Sequence, residues 1–161
     1  MTQGPLSPDG PQSSDGTRRR IAVLNGPNLN LLGTREPEIY GSTTLADIEA
    51  MMRERAKALG FDLDFRQSNA EGTMIDWIHE ARGTAHGIII NAGAYSHTSI
   101  ALYDALLSYE GVVIEVHLSN LFKRETFRHH SMVTPAALGL ICGFGATGYL
   151  LALDALAAQW G

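Results

Sequence analysis

The sequence predicts a single α/β domain in which helices cover both faces of a five-stranded parallel sheet. Short apolar runs alternate with helical stretches along the chain, which is typical of parallel sheets with right-handed crossovers. The 161 residues are 45% hydrophobic and 18% charged, which suits one soluble domain of roughly 100–200 residues. This composition excludes a wholly disordered chain, a collagen-like repeat and a coiled coil.

The chain begins with a segment that we expect to lie outside the fold. Residues 1–17 hold nine Gly, Pro or Ser residues, and their large apolar residues are Met1 and Leu6. Such a segment buries too little surface to offset the entropy of ordering it. It also lacks the apolar core of a secretory signal. We therefore predict a disordered N-terminal tail over 1–17 and one folded domain over 18–161.

Cysteine content and net charge narrow the choice of cellular compartment and of binding partner. The one cysteine excludes an intramolecular disulfide and favours a reducing compartment, so we expect a cytoplasmic protein. No apolar run reaches the roughly 18 residues of a membrane-spanning helix, so no membrane partner is expected. The net charge of −5 argues against a nucleic-acid binder with a basic surface. We interpret Arg18, Arg19 and Arg20 as a solvated start of the domain; the alternative is a localisation or anion-binding role.

The first elements follow from three patterns. Residues 21–24 form a short apolar run that ends at the turn cluster Asn25-Gly26-Pro27-Asn28, which predicts a strand. From 42 to 59 apolar residues recur at helical spacing, and Gly60 ends the helix. Residues 61–66 alternate apolar and charged side chains, which predicts a half-exposed strand at a sheet edge.

The later elements repeat the alternation. They are a helix over 73–82, a strand over 87–90, a helix over 98–109, a strand over 112–116, a strand over 138–142 and a helix over 146–159. The third strand is a continuous β-branched run, as expected for a strand covered on both faces. Because the second strand has the pattern of an edge, we predict the strand order 2-1-3-4-5, a flavodoxin-like three-layer fold.

Polar residues gather where the predicted strands end. Ligands of open α/β sheets bind outside the carboxyl ends of the strands. The residues concerned are Asn25, Asn28, Asn30, Arg35, Glu36, Tyr40, Arg66, Gln67, Ser68, Asn69, Asn91, Tyr95, Ser96, His97, Thr98, Glu115, His117, Ser119, Asn120, Lys123, Arg124 and Arg128. We expect them to line one catalytic or anion-binding pocket.

Some of these residues also have a purely structural interpretation. The Asn25–Asn28 cluster can be no more than a tight turn, since Gly and Asn tolerate positive φ. Glu115 lies inside a strand, so we expect it to be buried and paired, and to orient His117 or another polar group. His129 and His130 follow no strand end and are interpreted as structural.

One glycine motif is tempting but incomplete. Residues 143–148 read GFGATG and fit G-x-G-x-x-G after a strand. A dinucleotide site also needs a further strand and an acidic residue about 20 positions on. The sequence stops short of both, so we interpret these glycines as allowing the last strand to pack closely on the last helix.

Four blocks of sequence carry a resemblance to a known family. They read LNGPNLNLLGTREPEIYG over 24–41, RQSNAEG over 66–72 with IDWIH over 75–79, NAGAYSHTS over 91–99, and IEVHLSN over 114–120 with RETFR over 124–128. In this order they resemble the type II 3-dehydroquinate dehydratases, the type II dehydroquinases. The resemblance covers residues 20–161 and implies a flavodoxin-like fold and a single catalytic domain over 18–161.

The resemblance implies a reaction and a role for each matched residue. The reaction is dehydration of 3-dehydroquinate to 3-dehydroshikimate through an enolate, in the shikimate or quinate pathway, with no metal or organic cofactor. Tyr40 is implied to be the base, and Arg35 to favour its tyrosinate. Asn28 is implied to stabilise the enolate through a water, and His117 to protonate the departing hydroxyl while Glu115 holds it.

The resemblance also implies how substrate and subunits bind. Asn91, His97, Ser119 and Arg128 contact the hydroxyls and the carboxylate of the substrate, together with the backbone at Leu118. Asp104 reaches the site of a neighbouring subunit in a dodecamer built of trimers. The chemistry suits these residue types, since a tyrosine base near neutral pH needs an adjacent cation and a departing hydroxide needs a general acid. Glu36 and Glu38 oppose a tyrosinate and are expected to face solvent.

Two other classes of function stay open at this point. A flavin- or nucleotide-binding module on the same fold needs a phosphate-cradling loop after the first strand, where Pro27 interrupts the backbone N–H donors. An idle scaffold with the shape of the enzyme would be expected to have lost a catalytic residue, whereas Arg35, Tyr40, Asn28 and His117 are all present.

Overall fold

One parallel sheet organises the computed structural model, which describes residues 16–161. The strands lie in the order β2-β1-β3-β4-β5, as predicted. They are β1 Arg19–Asn25, β2 Phe61–Gln67, β3 Gly87–Asn91, β4 Val112–His117 and β5 Gly139–Cys142. The predicted tail falls on residues that lie outside the described part, apart from Gly16 and Thr17.

Within residues 16–161, four α-helices lie between the strands and a fifth follows β5. They are α1 Pro37–Tyr40, α2 Leu45–Leu59, α3 Glu71–Ala81, α4 Ile100–Leu107 and α5 Thr147–Trp160. The α2 helix begins three residues later than predicted because Thr44 caps it. The Thr44 hydroxyl accepts a hydrogen bond from the N–H of Asp47, whose carboxylate accepts one from the N–H of Thr44. The single turn α1 was not predicted, because four residues show no helical period.

Two apolar clusters fill the space between the layers. Helices α2 and α5 pack on one face of the sheet, where Ile21 and Val23 of β1 point. Helices α3 and α4 pack on the other face, on the alternate residues Ala22 and Leu24. The predicted three-layer arrangement is confirmed. Within residues 16–161, none of the helices combines the length and the apolar character needed to cross a bilayer.

The arginine triplet belongs to the sheet edge. Arg18 pairs with Asp62 at 2.9 Å and Arg20 pairs with Asp64 at 2.6 Å, so both arginines join β1 to β2. Arg19 points to the other face and lies over the ring of Trp160, 5.0 Å from its centroid. These contacts extend β1 two residues ahead of the predicted start.

The glycine motif of residues 143–148 forms a turn. Gly143 and Gly145 have φ values of 94° and 56°, which favour glycine. A Cβ on Gly148 of α5 would lie at an ordinary 3.5 Å from Ile141 of β5 and Val116 of β4. Helix α5 thus packs on β5 at Gly148, as predicted, but the packing leaves room for a Cβ and does not require glycine there. The left-handed backbone between β5 and α5 explains the first two glycines instead.

Candidate active site

A cleft opens at the carboxyl ends of the strands, with about 630 Å³ of empty space that includes open solvent. Its walls are the loops that follow β1, β3 and β4. Eight of the residues to which the resemblance gives a role line it, and so does Arg124: the eight are Asn28, Arg35, Asn91, His97, His117, Leu118, Ser119 and Arg128. The structure thus brings these residues to one place, while their individual roles stay predictions.

The turn after β1 forms one wall of the cleft. A Cβ on Gly26 would lie 2.5 Å from the carbonyl oxygen of Ala92, and the Gly26 N–H donates to the carbonyl of Asn91 at 2.8 Å. Asn28 has a left-handed backbone with φ of 68°, which asparagine tolerates better than most residues. Its N–H donates to the side-chain oxygen of Asn69 at 3.0 Å. The turn is therefore a structural device that also presents Asn28 to the cleft.

Glu115 and His117 form a buried pair at the end of β4. Glu115 is fully buried, and His117 Nε2 lies 2.7 Å from its Oε1. Burial on its own would raise the pKa of Glu115, but its hydrogen-bond donors and the charge of His117 outweigh that effect and lower the pKa. An ionised Glu115 accepts the Nε2 proton of His117, so Nδ1 is the ring nitrogen left to exchange a proton in the cleft. The expected burial and pairing of Glu115 are confirmed.

His97 lies beside this pair. Its ring is stacked on that of His117, with centroids 6.2 Å apart. The carbonyl of His130 accepts the Nδ1 proton of His97 at 2.8 Å, which leaves Nε2 as an acceptor. Burial lowers the pKa of His97, and the charges of His117 and Arg128 lower it further against the opposing effect of the His130 bond. His97 is therefore held in its neutral form.

Two arginines make one wall of the cleft positive. Arg124 and Arg128 both line it and share the carboxylate of Glu125, whose Oε2 lies 3.7 and 3.0 Å from them. Arg124 also donates to the hydroxyl of Ser119 at 3.3 Å, and its carbonyl accepts a hydrogen bond from His129. Two guanidinium groups against one carboxylate suit an anionic ligand.

Known proteins are similar to this chain in sequence and in fold. The family described as Dehydroquinase class II matches residues 19–157. The chain belongs to this family. It is 62% identical over 139 residues to a 3-dehydroquinate dehydratase of Dinoroseobacter shibae, covering 86% of this chain and 93% of that one. It is 65% identical over 136 residues to one of Rhizobium meliloti, covering 84% and 92%.

A solved structure extends the likeness to three dimensions. The type II dehydroquinase of Propionibacterium acnes superposes with a TM-score of 0.85 at 47% identity, covering 88% of this chain and 98% of that one. Membership in this enzyme family favours a hydro-lyase over the flavin-binding module and the idle scaffold. The resemblance found in the four sequence blocks is confirmed.

A buried chain of hydrogen bonds orients Asn91. The Asn91 side-chain NH₂ donates to the hydroxyl of Tyr149 at 2.9 Å, and that hydroxyl donates to the side-chain oxygen of Asn25 at 2.7 Å. The Asn25 NH₂ donates in turn to the carbonyl of Arg66. The direction of each of these three hydrogen bonds is thereby assigned. Tyr149 was not predicted, because nothing in a helical apolar stretch marks one tyrosine as a partner of a residue 58 positions away.

Arg35 lines the cleft from the loop that leads into α1. The carboxylate of Glu36 lies 3.5 Å from its guanidinium, and one Glu36 oxygen is shielded from solvent. The Glu36 side chain is 41% exposed, so the expectation that it faces solvent holds for the side chain as a whole and not for that one oxygen. Glu38 is exposed, as expected. The side chain of Tyr40 lies outside what the structure describes.

Other positions complete the comparison of prediction and structure. Asp104 is exposed on α4 and is not among the residues that line the cleft of its own chain. The cleft also has an apolar wall that was not predicted, formed by Pro27, Leu29, Leu32 and Leu121. In sequence, a leucine next to a strand end looks the same whether it fills the core or faces a ligand.

Proposed function

We propose that this type II dehydroquinase eliminates water from 3-dehydroquinate through an enolate and releases 3-dehydroshikimate, a step of the shikimate pathway. The buried Glu115–His117 pair carries the proposal, because it sets a general acid in a cleft that also holds Arg124 and Arg128. The similar proteins of Dinoroseobacter shibae and Rhizobium meliloti are 3-dehydroquinate dehydratases.

His117 supplies the proton for the departing hydroxyl. Hydroxide is a poor leaving group, so an acid must protonate it as it leaves. In the imidazolium form, His117 donates its Nε2 proton to Glu115 and has its Nδ1 proton for the substrate. The ionised carboxylate stabilises the positive ring. After the transfer, the neutral ring still donates its Nε2 proton to Glu115, and Nδ1 regains a proton from solvent.

Tyr40 removes the proton α to the ketone. A tyrosine has a reference pKa near 10, so the phenolate needs a nearby cation to form at neutral pH. Arg35 lies five residues earlier in the same loop and lines the cleft. Arginine stays protonated under all these conditions, which makes it a suitable partner for the tyrosinate.

Donors around the ketone stabilise the enolate. Preorganised hydrogen bonds aimed at a developing negative charge are among the largest contributions to catalysis. Asn28 supplies such a donor, directly or through a bound water. Its left-handed backbone and the bond from its N–H to Asn69 fix its position before substrate arrives.

Polar groups on the remaining walls hold the substrate. The positive wall suits its carboxylate, and Arg128 is the arginine that the family resemblance assigns to it. Asn91, His97 and Ser119 bind the ring hydroxyls, and the backbone N–H of Leu118 adds a further donor. The neutral His97 presents an acceptor nitrogen, which suits a hydroxyl donor.

The enzyme assembles into a homo-oligomer, a dodecamer built of trimers. Ile100 and Leu107 are 61% and 58% exposed on α4, the helix that carries Asp104. Exposed apolar side chains that cluster on one helix mark protein contacts. Asp104 then acts in the site of the neighbouring subunit. The cytoplasmic location also remains a prediction.

A direct assay tests the proposed reaction. Formation of the conjugated enone from 3-dehydroquinate is followed by ultraviolet absorbance, with and without a chelator. We expect the same rate in both, because no cofactor takes part. Among residues 16–161, no group of three or more His, Cys, Asp or Glu side chains is placed to hold a metal ion.

The matched control is His117→Ala, checked for folding by circular dichroism. Loss of a general acid is expected to cost roughly 10²–10⁴-fold in kcat. Absence of enone formation by the wild-type protein would overturn the proposed function. A rate that the chelator abolishes and added metal restores would overturn the cofactor-free mechanism.

A further inference from the structure

A short segment after Arg128 contacts His97 directly, and it contacts Glu115, the partner of His117. The carbonyl of His130 fixes the Nδ1 proton of His97. The hydroxyl of Ser131 lies 2.7 Å from Glu115 Oε1, and the hydroxyl of Thr134 donates to Glu115 Oε2. The segment is itself held by the N–H of Met132, which donates to the carbonyl of Ser96 at 2.7 Å.

The hydroxyl of Ser131 has its hydrogen committed to Glu115. A serine hydroxyl has one donor and two acceptor positions. The N–H groups of Val133 and Thr134 donate to this oxygen at 3.1 and 3.2 Å and occupy the acceptor positions. The remaining hydrogen is the one that faces the carboxylate, so Ser131 is an obligatory donor to Glu115.

Three donors then bind the carboxylate of Glu115, with at least one on each oxygen. Oε1 accepts from His117 and Ser131, and Oε2 accepts from Thr134. A fully buried carboxylate stays ionised only where donors or opposite charges offset its desolvation. Two of the three donors come from the segment after Arg128.

We propose that Ser131 and Thr134 are positioning residues for catalysis, which hold Glu115 ionised and in one orientation so that His117 keeps Nε2 on Glu115 and Nδ1 toward the substrate. The inference rests on the proposed function of His117 as the general acid. Neither residue touches the cleft, so they act through Glu115 and not on the substrate.

Loss of either hydroxyl has a defined electrostatic result. Hydrogen bonds to the ionised form lower a carboxyl pKa, so their removal raises the pKa of Glu115. A protonated Glu115 no longer stabilises the His117 imidazolium. The acid limb of the kcat profile therefore moves to higher pH. The other titratable or charged groups around the pair are His97 on the 3₁₀ turn after β3 and the cleft residues Arg124 and Arg128, and all three are unchanged in the variants.

Three variants and one control test the proposal. Thr134→Val keeps the side-chain shape and removes the hydroxyl, Ser131→Ala removes the other donor, and Thr134→Ser restores a hydroxyl. Ser108→Ala is the control, because its half-buried hydroxyl donates to the carbonyl of Ala105 far from the cleft. The measurements are kcat, KM and the pH profile of each protein.

We expect Thr134→Val and Ser131→Ala each to lower kcat about tenfold at neutral pH, the equivalent of one hydrogen bond to a charged group. KM should change by less than about twofold, since neither hydroxyl binds substrate. The acid limb should move to higher pH, and Thr134→Ser should recover most of the lost kcat. Ser108→Ala should behave as wild type.

The proposal is overturned if kcat is unchanged, or if it falls equally at every pH and Thr134→Ser does not restore it. Should Thr134→Val fail to fold, Ser131→Ala carries the same test. The ¹⁵N spectrum of labelled histidine gives a readout without turnover: His117 should be protonated at Nε2 in the wild-type protein and lose that preference in the variants. Wild-type protein without dehydratase activity would defeat the proposed function, whereas an unaltered His117 tautomer in the variants would defeat this inference alone.

Discussion

At the scale of single residues, the chemistry of the cleft depends on opposite treatment of two neighbouring histidines. His117 donates its Nε2 proton to the buried Glu115, which leaves Nδ1 for exchange in the cleft. His97 rests on a backbone carbonyl, and its burial and cationic neighbours favour its neutral form. One ring therefore suits proton donation and the other suits hydrogen-bond acceptance, although the rings are stacked 6.2 Å apart. The partner of the ring decides its role.

Tyr40→Phe tests the base. The change removes the ionisable hydroxyl and keeps the ring, so we expect kcat to fall by roughly 10²–10⁴-fold with little change in substrate affinity. Steady-state kinetics and calorimetric substrate binding measure the two quantities. The matched control is Tyr103→Phe on α4, which is not among the residues that line the cleft. If Tyr40→Phe keeps more than about a tenth of wild-type turnover, another group is the base.

Arg35→Met tests how the tyrosine becomes a base. Methionine keeps most of the bulk and removes the charge, so the Tyr40 pKa should move up toward its reference value near 10. The acid limb of kcat/KM should then move to higher pH, and activity lost at pH 7 should partly return at alkaline pH. The measurement is a profile from about pH 5 to 10, which spans the reference values of His and Tyr.

The control for this profile is Arg53→Met, which removes an arginine that pairs with Glu49 on the surface of α2. It should leave the profile unchanged. An equal loss of activity at every pH in Arg35→Met would mean that Arg35 acts by contact with the substrate or transition state. Glu36, 3.5 Å from Arg35, competes for the guanidinium.

At the scale of elements, residue types and their spacing predicted the edge strand and the position of the cleft. The alternation of Phe61, Leu63 and Phe65 with charged residues identified β2 as an edge, and the structure pairs its aspartates with arginines of β1. The polar ends of the strands predicted the place of the cleft, because parallel strands end at one edge. Both inferences need only residue types and spacing.

Hydrogen bonds between residues far apart in the chain were not predicted, because no pattern in the sequence indicates them. Tyr149 meets Asn25 across 124 positions, and Ser131 meets Glu115 across 16 positions within an irregular segment. Neither partner stands out in composition or period. Their roles follow from packing, which brings α5 and the loop after β4 against the strand ends.

Gly26→Ala tests the junction of β1 with the loop after β3. The new Cβ would lie 2.5 Å from the Ala92 carbonyl oxygen, a separation that requires backbone movement. We expect a loss of about 1–3 kcal/mol in unfolding free energy and a raised KM, because Asn28 shifts with the turn. Thermal and urea denaturation measure the first quantity.

The matched control for that variant is Gly72→Ala on α3, where a Cβ meets nothing within 4 Å. Alanine is the better helix former by roughly 0.5–1 kcal/mol, so this change should stabilise the protein or leave it unchanged. Equal stability of Gly26→Ala and wild type would show that the turn can shift without cost.

At the scale of the whole molecule, Arg18 helps to hold the edge of the sheet together. Arg18 donates to the carbonyl of Phe61 and pairs with Asp62. Removal of residues 1–17 should therefore leave the melting temperature and kcat close to those of the full chain, because the removed segment has two large apolar residues. A large fall in melting temperature would show that the tail packs on the domain. Arg18→Ala in the full chain is the positive control, since it removes contacts that the structure shows.

The assembly of subunits gives the most specific prediction for the whole molecule. If Asp104 completes the site of a neighbouring subunit, each site takes His117 from one subunit and Asp104 from another. Asp104→Ala and His117→Ala then remove groups that come from different subunits. In a mixed oligomer, an Asp104→Ala subunit keeps its own His117 and receives an intact Asp104 from a His117→Ala neighbour. Such a site has both groups, so dissociating and reassembling the two inactive proteins together should restore activity. Light scattering should first show a species much larger than the 17.4 kDa chain. Each variant reassembled alone, and a chain with both substitutions mixed with His117→Ala, should stay inactive. If hybrids form and no activity returns, or if Asp104→Ala is fully active by itself, Asp104 does not serve a neighbouring site.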